Sequence, residues 1–394
     1  MENGRMERGL LISQTKQIKK IEGGFLVPSQ NSSKNYFVSE QDLKCTCPDC
    51  QAGRSDYCKH AYAVKYYLQV EKADGTTEKV KLTYGQAWHA YNQAQTTEVN
   101  EFDRLLRDLL ESVQEPEYSF GRPTTPIREQ LFCSVQKVYS QLSSRRAKSL
   151  FNNAKDKGLL KNSPHFNTTF KFLNKKEATP ILKTLIGLSA LPLKEVETQF
   201  AVDSSGFRTT QFNEYCKEKH GTKKEHKWLK AHICTGVKTN IITGVEITDA
   251  NGSDSPQFAP LIQTTVSNGF NLFEVSADKA YSSIANYNVV KELGGQAFIP
   301  FKKNANATVR SGNKGRLWRK MYHYFQLNQE EFAEHYHKRS NVETTFHMIK
   351  MKFGDKLKSK NKIAQENELL CKCLAHNIVV LIHEMYELGI KAEF

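Results

Sequence analysis

Two spacings of apolar positions organise this chain. Near the C-terminus Val342, Phe346, Ile349 and Phe353 recur every three or four residues, the period of one helix face. Beside them run Tyr336, Arg339, Glu343 and Lys350, spaced Y-x2-R-x3-E-x6-K. At about 100° per residue these four side chains project within roughly 60° of one another. One long helix is therefore expected, with an apolar edge on a core and a polar edge of ring, guanidinium, carboxylate and ammonium. A solvated face with an Arg–Glu pair at i, i+4 has the same pattern, so the stripe alone does not establish chemistry.

Upstream, short apolar runs bounded by turn residues replace the helical period. Gln199 to Val202 predicts a strand ending at Asp203, and Trp228 to Cys234 and Asn240 to Thr248 two more, joined by a turn around Gly236. A helix follows at Ser255 to Ser267, then a strand from Asn271 to Ala277 ending at Asp278. Next come a helix at Ser282 to Leu293, a last strand at Gln296 to Pro300, and a Gly/Asn-rich basic loop, Lys302 to Arg316. Three strands, then strands alternating with helices, predict an α/β fold: a mixed sheet flanked by helices.

The N-terminal half reads differently. Gly24 to Val27 and Asn35 to Ser39 are strand-like, and a cysteine-rich segment and a helix, His60 to Val70, come after them. Glu71 to Asn100 is polar with weak periodicity, Glu101 to Val113 is helical, and Glu115 to Pro126 reads as a linker. Ile127 to Lys194 is helical and basic, with Leu131, Val135 and Val138 at helical spacing and Arg145, Arg146 and Lys148 after them. Two further helices are expected, Phe166 to Leu173 and Thr179 to Ser189, with Pro180 at a permitted first-turn position. The expected division is a small module at 1–70, a linker region with a helix at 71–126, a helical domain at 127–196, an α/β domain at 197–370 and a C-terminal helix at 371–394.

Charge adds a class of partner. Over 394 residues, Lys and Arg number 56 against 42 Asp and Glu, a net +14, which favours a polyanion such as nucleic acid. The window from Phe301 to Lys362 holds 15 Lys or Arg and 5 Asp or Glu, a net +10, and it contains the polar stripe. Residues 1–14 lack the pattern of a secretory signal, and Ile378 to Ile382 is too short a run to span a bilayer, so no membrane role is expected. The expected compartment is the cytoplasm, with the nucleoid, in a prokaryote, or the nucleus in a eukaryote.

Four of the nine cysteines crowd into one segment, which argues for metal binding over a disulfide framework. Cys45, Cys47, Cys58 and His60 form C-x-C-x10-C-x-H, the three thiolates and one imidazole of a closed structural Zn²⁺ site. Cys50 lies between the pairs as an alternative to Cys47. Cys371, Cys373 and His376 fall in an amphipathic helix with Leu370, Leu374, Ile378 and Leu381, where buried thiols are the better reading. Arg145, Arg146 and Lys148 fit a phosphate contact or a solvated face, and Trp318 fits packing better than stacking on an unpaired base.

Asp203 and Asp278 each end a predicted strand, the place where open α/β sheets bind ligands. Side-by-side strands would bring them together, with Glu343 reaching in from the helix. Three converging carboxylates repel unless a cation lies between them, and hard oxygen donors suit Mg²⁺ or Mn²⁺. Paired ions of this kind serve phosphodiester chemistry.

These residues resemble those of the insertion-sequence DDE transposases with a YREK signature. Tyr336, Arg339, Glu343 and Lys350 match Y-x2-R-x3-E-x6-K without a gap, and Ala201 to Gly206 and Ala277 to Tyr281 look like the family's two aspartate segments. Ala280 departs from the glycine common in relatives, and the 64 residues between Asp278 and Glu343 leave no room for a large β-rich insertion. The resemblance covers Thr198 to about Lys362, and the cysteine–histidine segment is similar to SWIM-type zinc fingers. It implies an RNase H-like fold and two metal ions, with Asp203 bridging both while Asp278 and Glu343 hold one each. It further implies DNA cleavage at element ends, attack of the freed 3′-OH on target DNA, phosphate contacts from Tyr336, Arg339 and Lys350, and a homodimer that synapses two ends. A nuclease of the same fold without strand transfer, or a domesticated DNA-binding protein, are the alternatives.

Overall fold

Gly24, at the start of a strand, has Val38 O within 2.2 Å of where a Cβ would stand, so only glycine lets these two strands approach. They belong to an antiparallel sheet, β1 (Lys19–Ile21), β2 (Gly24–Pro28) and β3 (Asn35–Ser39), with β2 in the middle. Helices α1 (Pro48–Gln51) and α2 (Lys59–Tyr67) follow, then a hairpin of β4 (Gln69–Glu71) and β5 (Thr77–Lys79). Phe25, Val27, Val38, Ala61 and Val64 make a small core together with Cys45, Cys47 and Cys58. The molecule is a computed structural model that describes residues 5, 8–9, 11–13, 18–29, 34–51, 57–67, 69–71, 77–79, 87–117, 120–121, 124–209, 228–306 and 312–394. It divides into two compact units, Met1–Trp88 and His89–Phe394.

The second unit opens with α3 (Trp88–Leu110), which starts well before the helix predicted at Glu101. Its first turns bear few large aliphatics, so the apolar period emerges only from Phe102, Leu105, Leu106 and Leu109, all fully buried. After it, Glu115 reaches across to accept from the backbone N–H groups of Ile127 and Arg128 at 2.7 and 2.9 Å. That carboxylate satisfies two orphan donors at the start of α4 (Ile127–Tyr139). Helices α5 (Ser144–Asp156), α6 (Asn167–Leu173) and α7 (Ala178–Ala190) complete the helical stretch.

The five-stranded sheet contains β6 (Gln199–Arg208), β7 (Trp228–Gly236), β8 (Ile242–Asp249), β9 (Glu274–Ala277) and β10 (Gln296–Phe298), in the order β10-β9-β6-β7-β8. β6, β7 and β8 form an antiparallel meander, and β9 and β10 add in parallel on the other side of β6. Helices α8 (Ser255–Ser267) and α9 (Ile284–Glu292) make the crossover connections that parallel strands require. This is the mixed α/β, RNase H-like architecture expected from the chain. At the β7–β8 turn, buried Glu197 accepts from Lys238 N and Thr239 N, and a Cβ on Gly236 would stand 2.3 Å from that carboxyl carbon.

The C-terminal part supplies α10 (Arg316–Leu327), α11 (Gln329–Tyr336), α12 (Ser340–Phe353) and α13 (Lys362–Glu387). α13 runs through the boundary predicted at 370 and packs on α4, α7 and the sheet in one continuous core. Among the described residues it is the one helix long and apolar enough to cross a membrane, and 78% of its most apolar window is buried inside the protein. Asn377 shows why a core helix keeps polar residues: its amide donates to Ile242 O at 2.8 Å and Ser189 Oγ at 3.0 Å, and its Oδ1 accepts from Ile242 N at 2.9 Å.

Candidate active site and metal centre

Register brings the two aspartates together. The parallel pairing of β6 with β9 ends at Val202 opposite Ala277, so Asp203 and Asp278 are the next residues on neighbouring strands, which lie about 4.8 Å apart. Asp203 is not at a strand end, as its local sequence suggested. β6 continues to Arg208 because β7 remains as an antiparallel partner after β9 has stopped. Asp278 does leave its strand, and its carboxylate caps the 3₁₀ turn Lys279–Tyr281 by accepting from Lys279 N at 2.6 Å.

Glu343 reaches the same place through Arg339. The guanidinium donates to Asp203 Oδ2 at 2.6 Å and to Glu343 Oε1, so one cation bridges two of the three carboxylates. Burial pushes the Asp203 pKa up, the Ser204 N–H and Arg339 pull it down, and the negative charges of Asp278 and Glu343 raise it again. The three carboxylates therefore act on one another. Burial works against the Arg339 charge, but Asp203, Tyr336 and Glu343 outweigh it and hold its pKa above the ordinary value.

The stripe itself is built differently from the single helix predicted. α11 ends at Tyr336, His337–Arg339 form a 3₁₀ turn, and α12 begins at Ser340. The cause is a long-range grip that local sequence does not reveal. Glu274, 2% exposed at the start of β9, accepts from Lys338 Nζ at 3.0 Å and pairs with His335 Nδ1 at 2.9 Å. The His335 ring also stacks on Phe298 at 4.1 Å. These contacts pin the tightened turn and aim Arg339 at Asp203. Tyr336 lies under the guanidinium, its ring centre 5.8 Å from Arg339 Cζ.

The rotation of α12 is the expected one. Val342, Phe346, Ile349 and Phe353 are buried against the sheet, with the Phe346 ring 6.4 Å from that of Phe207. Thr345 fixes the helix to the β7–β8 hairpin through Thr235 Oγ1 and Asn240 Oδ1, both at 3.2 Å. Lys350, about two turns past Glu343, donates to Ser205 Oγ at 2.6 Å. Asp203, Ser205 and Phe207 alternate onto this one face of β6, so α12 lies along them with its cations over its partners' oxygens. Burial lowers the Lys350 pKa.

The donor set suits Mg²⁺ or Mn²⁺, since all three side chains present hard carboxylate oxygens and two already adjoin by register. Among the described residues, however, the one group of three or more His, Cys, Asp or Glu side chains whose ligand atoms already converge is Cys45, Cys47, Cys58 and His60, all within 4.8 Å of one another and all buried. Cys50 is outside that group. Cys58 Sγ and His60 Nδ1 are 3.7 Å apart, close to the edge of roughly 3.5–3.8 Å that a tetrahedron with Zn–S near 2.3 Å and Zn–N near 2.0 Å requires. The hydrogen bond with Cys45 drives the Cys58 thiol down to about 3 and the Cys45 thiol up. The donors fit Zn²⁺.

Other candidates resolve into packing. Trp318 is buried, donates to Asn306 O at 3.3 Å and meets Phe301 edge-on at 4.7 Å. Cys371 and Cys373 are buried thiols in α13, and His376 Nε2 donates to Asn240 O at 2.9 Å, with burial lowering its pKa to about 4. Lys148 donates to Ser163 O at 2.8 Å and Arg145 lies 5.7 Å over the Phe166 ring, so both serve the helical stretch. The sequence reading missed Glu274 and the contact of Ser205 with Lys350. Only the place of Ser205 two residues after Asp203 offered a signal.

Residues 194–378 match the family model described as "Transposase DDE domain", and residues 35–69 match "SWIM zinc finger". Among solved structures, the cryo-EM structure of a piggyBac transposase synaptic complex with hairpin DNA is similar over 78% of this chain and 77% of that chain. The identity there is 10% and the TM-score 0.35.

Proposed function

We propose that this chain, a transposase in which a SWIM zinc finger precedes a DDE domain, cuts DNA at element ends and joins the freed 3′-OH to target DNA. The observation that carries this reading is the parallel register that sets Asp203 beside Asp278, with Glu343 tied to Asp203 through Arg339. Asp203, Asp278 and Glu343 would hold the divalent ions, Mg²⁺ or Mn²⁺, with Asp203 central among the three through its link to Arg339 and its register beside Asp278. Bound there, such ions polarise the attacking oxygen and stabilise the leaving one.

The chain's own residues do the rest. Arg339 offers a planar fork and Lys350 a point charge to phosphates flanking the scissile bond. Tyr336 presents a hydroxyl to a phosphate or a ring to a base. The net +14 of the chain supports DNA as the partner, and the need to hold two ends at once supports a homodimer on DNA. Zinc on Cys45, Cys47, Cys58 and His60 closes the N-terminal module, whose core is too small to hold together alone.

The test is a joining assay with labelled candidate terminal repeats, Mg²⁺ and a target plasmid. Joined products that vanish in Glu343→Gln are expected. Nicks without joined products would establish the nuclease alternative, and neither product with any end sequence would leave a DNA-binding protein.

A further inference from the structure

A second polar cluster lies on the reverse face of the same sheet. Side chains alternate along β6, so Ser204 points away from the face that carries Asp203 and Ser205. Opposite Ser204 in the antiparallel register stands His232, and Lys230 stands opposite Gly206, which puts both on that reverse face. Asp254, the residue before α8, closes over them. Its Oδ1 accepts from Ser204 Oγ at 2.9 Å and pairs with Lys230 Nζ at 2.5 Å. His232 is fully buried, with Nδ1 3.4 Å from the same oxygen and Nε2 2.8 Å from Thr248 Oγ1.

The next residue, Ser255, holds the other aspartate's turn. The Asn286 amide donates to Ser255 Oγ at 3.1 Å and to Tyr281 O at 2.7 Å, and Tyr281 closes the 3₁₀ turn that Asp278 caps. Tyr281 is 1% exposed, and its hydroxyl is kept protonated by burial and then by the carboxylates of Asp254, Asp203 and Asp278. Ser204 N in turn donates to Asp203 Oδ1 at 2.8 Å. Both aspartate-bearing segments are thus tied to two consecutive residues at the start of one helix.

An interface between a sheet and a helix is ordinarily apolar, and a charged pair placed there costs desolvation that well-packed hydrophobic residues would not. This cluster lies directly behind the paired aspartates. We propose that Asp254 is a positioning residue for the divalent-cation site, fixing the β6 segment at Ser204 and so the spacing of Asp203 from Asp278. The inference rests on the carboxylate reading above. Asp254 touches no reacting atom; it acts through Ser204.

Mn²⁺ binding to the full-length zinc-loaded protein, without DNA and read by calorimetry, tests it. Ser204→Ala and Asp254→Ala are each expected to weaken Mn²⁺ binding about tenfold, and the double variant no further, because they break one link. Asp254→Asn keeps an acceptor oxygen for Ser204 Oγ and is expected to recover most of the affinity. Ser204→Ala leaves Lys230 and Asp254 paired, so it decides the matter if Asp254→Ala does not fold. Wild-type affinity in Ser204→Ala, or losses that add in the double variant, would overturn the inference. Glu343→Gln in the same titration separates the two claims: if it leaves Mn²⁺ binding unchanged the carboxylate reading falls, and if it weakens binding while Ser204→Ala does not, only the positioning role falls.

Discussion

Removing the Arg339 guanidinium should tighten divalent-cation binding while lowering DNA joining. Arg339 donates to Asp203 Oδ2 at 2.6 Å and also to Glu343, so an arriving ion competes with it for two carboxylates. Two unit charges at about 4 Å attract by roughly 4 kcal/mol at an effective dielectric near 20. The Arg339 and Asp203 side chains are 20% and 19% exposed, and solvent screening reduces that arm to about 1–2 kcal/mol. The Glu343 side chain is 58% exposed, so its arm adds only a few tenths, about 0.3 kcal/mol. A net competition of about 1.4 kcal/mol corresponds to tenfold in affinity. Arg339→Ala, titrated calorimetrically with Mn²⁺ in the absence of DNA, should therefore bind about tenfold more tightly than wild type. The gain should shrink with rising salt, since part of the competition is exposed. Joining should nonetheless fall, because the same guanidinium is the proposed phosphate fork. Unchanged or weaker Mn²⁺ binding in Arg339→Ala would refute the counter-ion argument.

Three other outcomes follow from the same contacts. Cys58→Ser should release zinc to a chromophoric chelator and remove hydrogen-exchange protection from residues 18–67, while residues 89–394 keep theirs. The reason is that metal binding supplies on the order of 10 kcal/mol to such modules; protection retained throughout would contradict it. Glu274→Gln should lower stability by about 2 kcal/mol in urea, less than a fully buried pair because the Lys338 side chain is 28% exposed; a change below about 0.5 kcal/mol would show that the grip on His335 and Lys338 is unimportant. Lys372 is 2% exposed and donates to Gly354 O and Lys356 O at 2.7 and 2.8 Å, and burial lowers its pKa to about 8. Between pH 8 and the ordinary lysine value near 10.4 the unfolded chain binds more protons, so stability should rise with pH relative to Lys372→Met, by up to about 3 kcal/mol. Parallel stability curves for the two proteins across that window would count against it.

Much of the site was legible because short-range signals coincide there. Asp203 and Asp278 follow apolar runs, and the Val342–Phe353 period gave the rotation of α12 correctly, which burial of all four residues shows. What escaped was set by distant partners. The 3₁₀ break at His337–Arg339 is caused by Glu274, more than 60 residues earlier, and nothing near His335 or Lys338 announces it. The length of β6 was underestimated because β7 keeps pairing beyond Asp203. The early turns of α3 carry little apolar period, so the pattern predicts the helix only from Glu101, with a polar stretch before it. α13 was cut short at its N-terminal end because its polar residues are buried by tertiary contacts: Asn367 through Leu173 O, and Glu368 and Lys372 through the segment just before the helix. In the cysteine segment Cys47, and not Cys50, belongs to the buried group with Cys45, Cys58 and His60, a distinction of geometry that spacing alone does not carry.

The central claim is that Asp203, Asp278 and Glu343 share divalent cations on DNA. Anomalous diffraction from crystals of the protein with Mn²⁺ and a cleaved-end DNA tests it most directly. The account predicts Mn²⁺ peaks within about 2.0–2.3 Å of oxygens from all three carboxylates, with Arg339 moved from Asp203 onto a phosphate. Arg339 still bridging Asp203 and Glu343 in the DNA-bound protein, with no Mn²⁺ peak beside either, would contradict it.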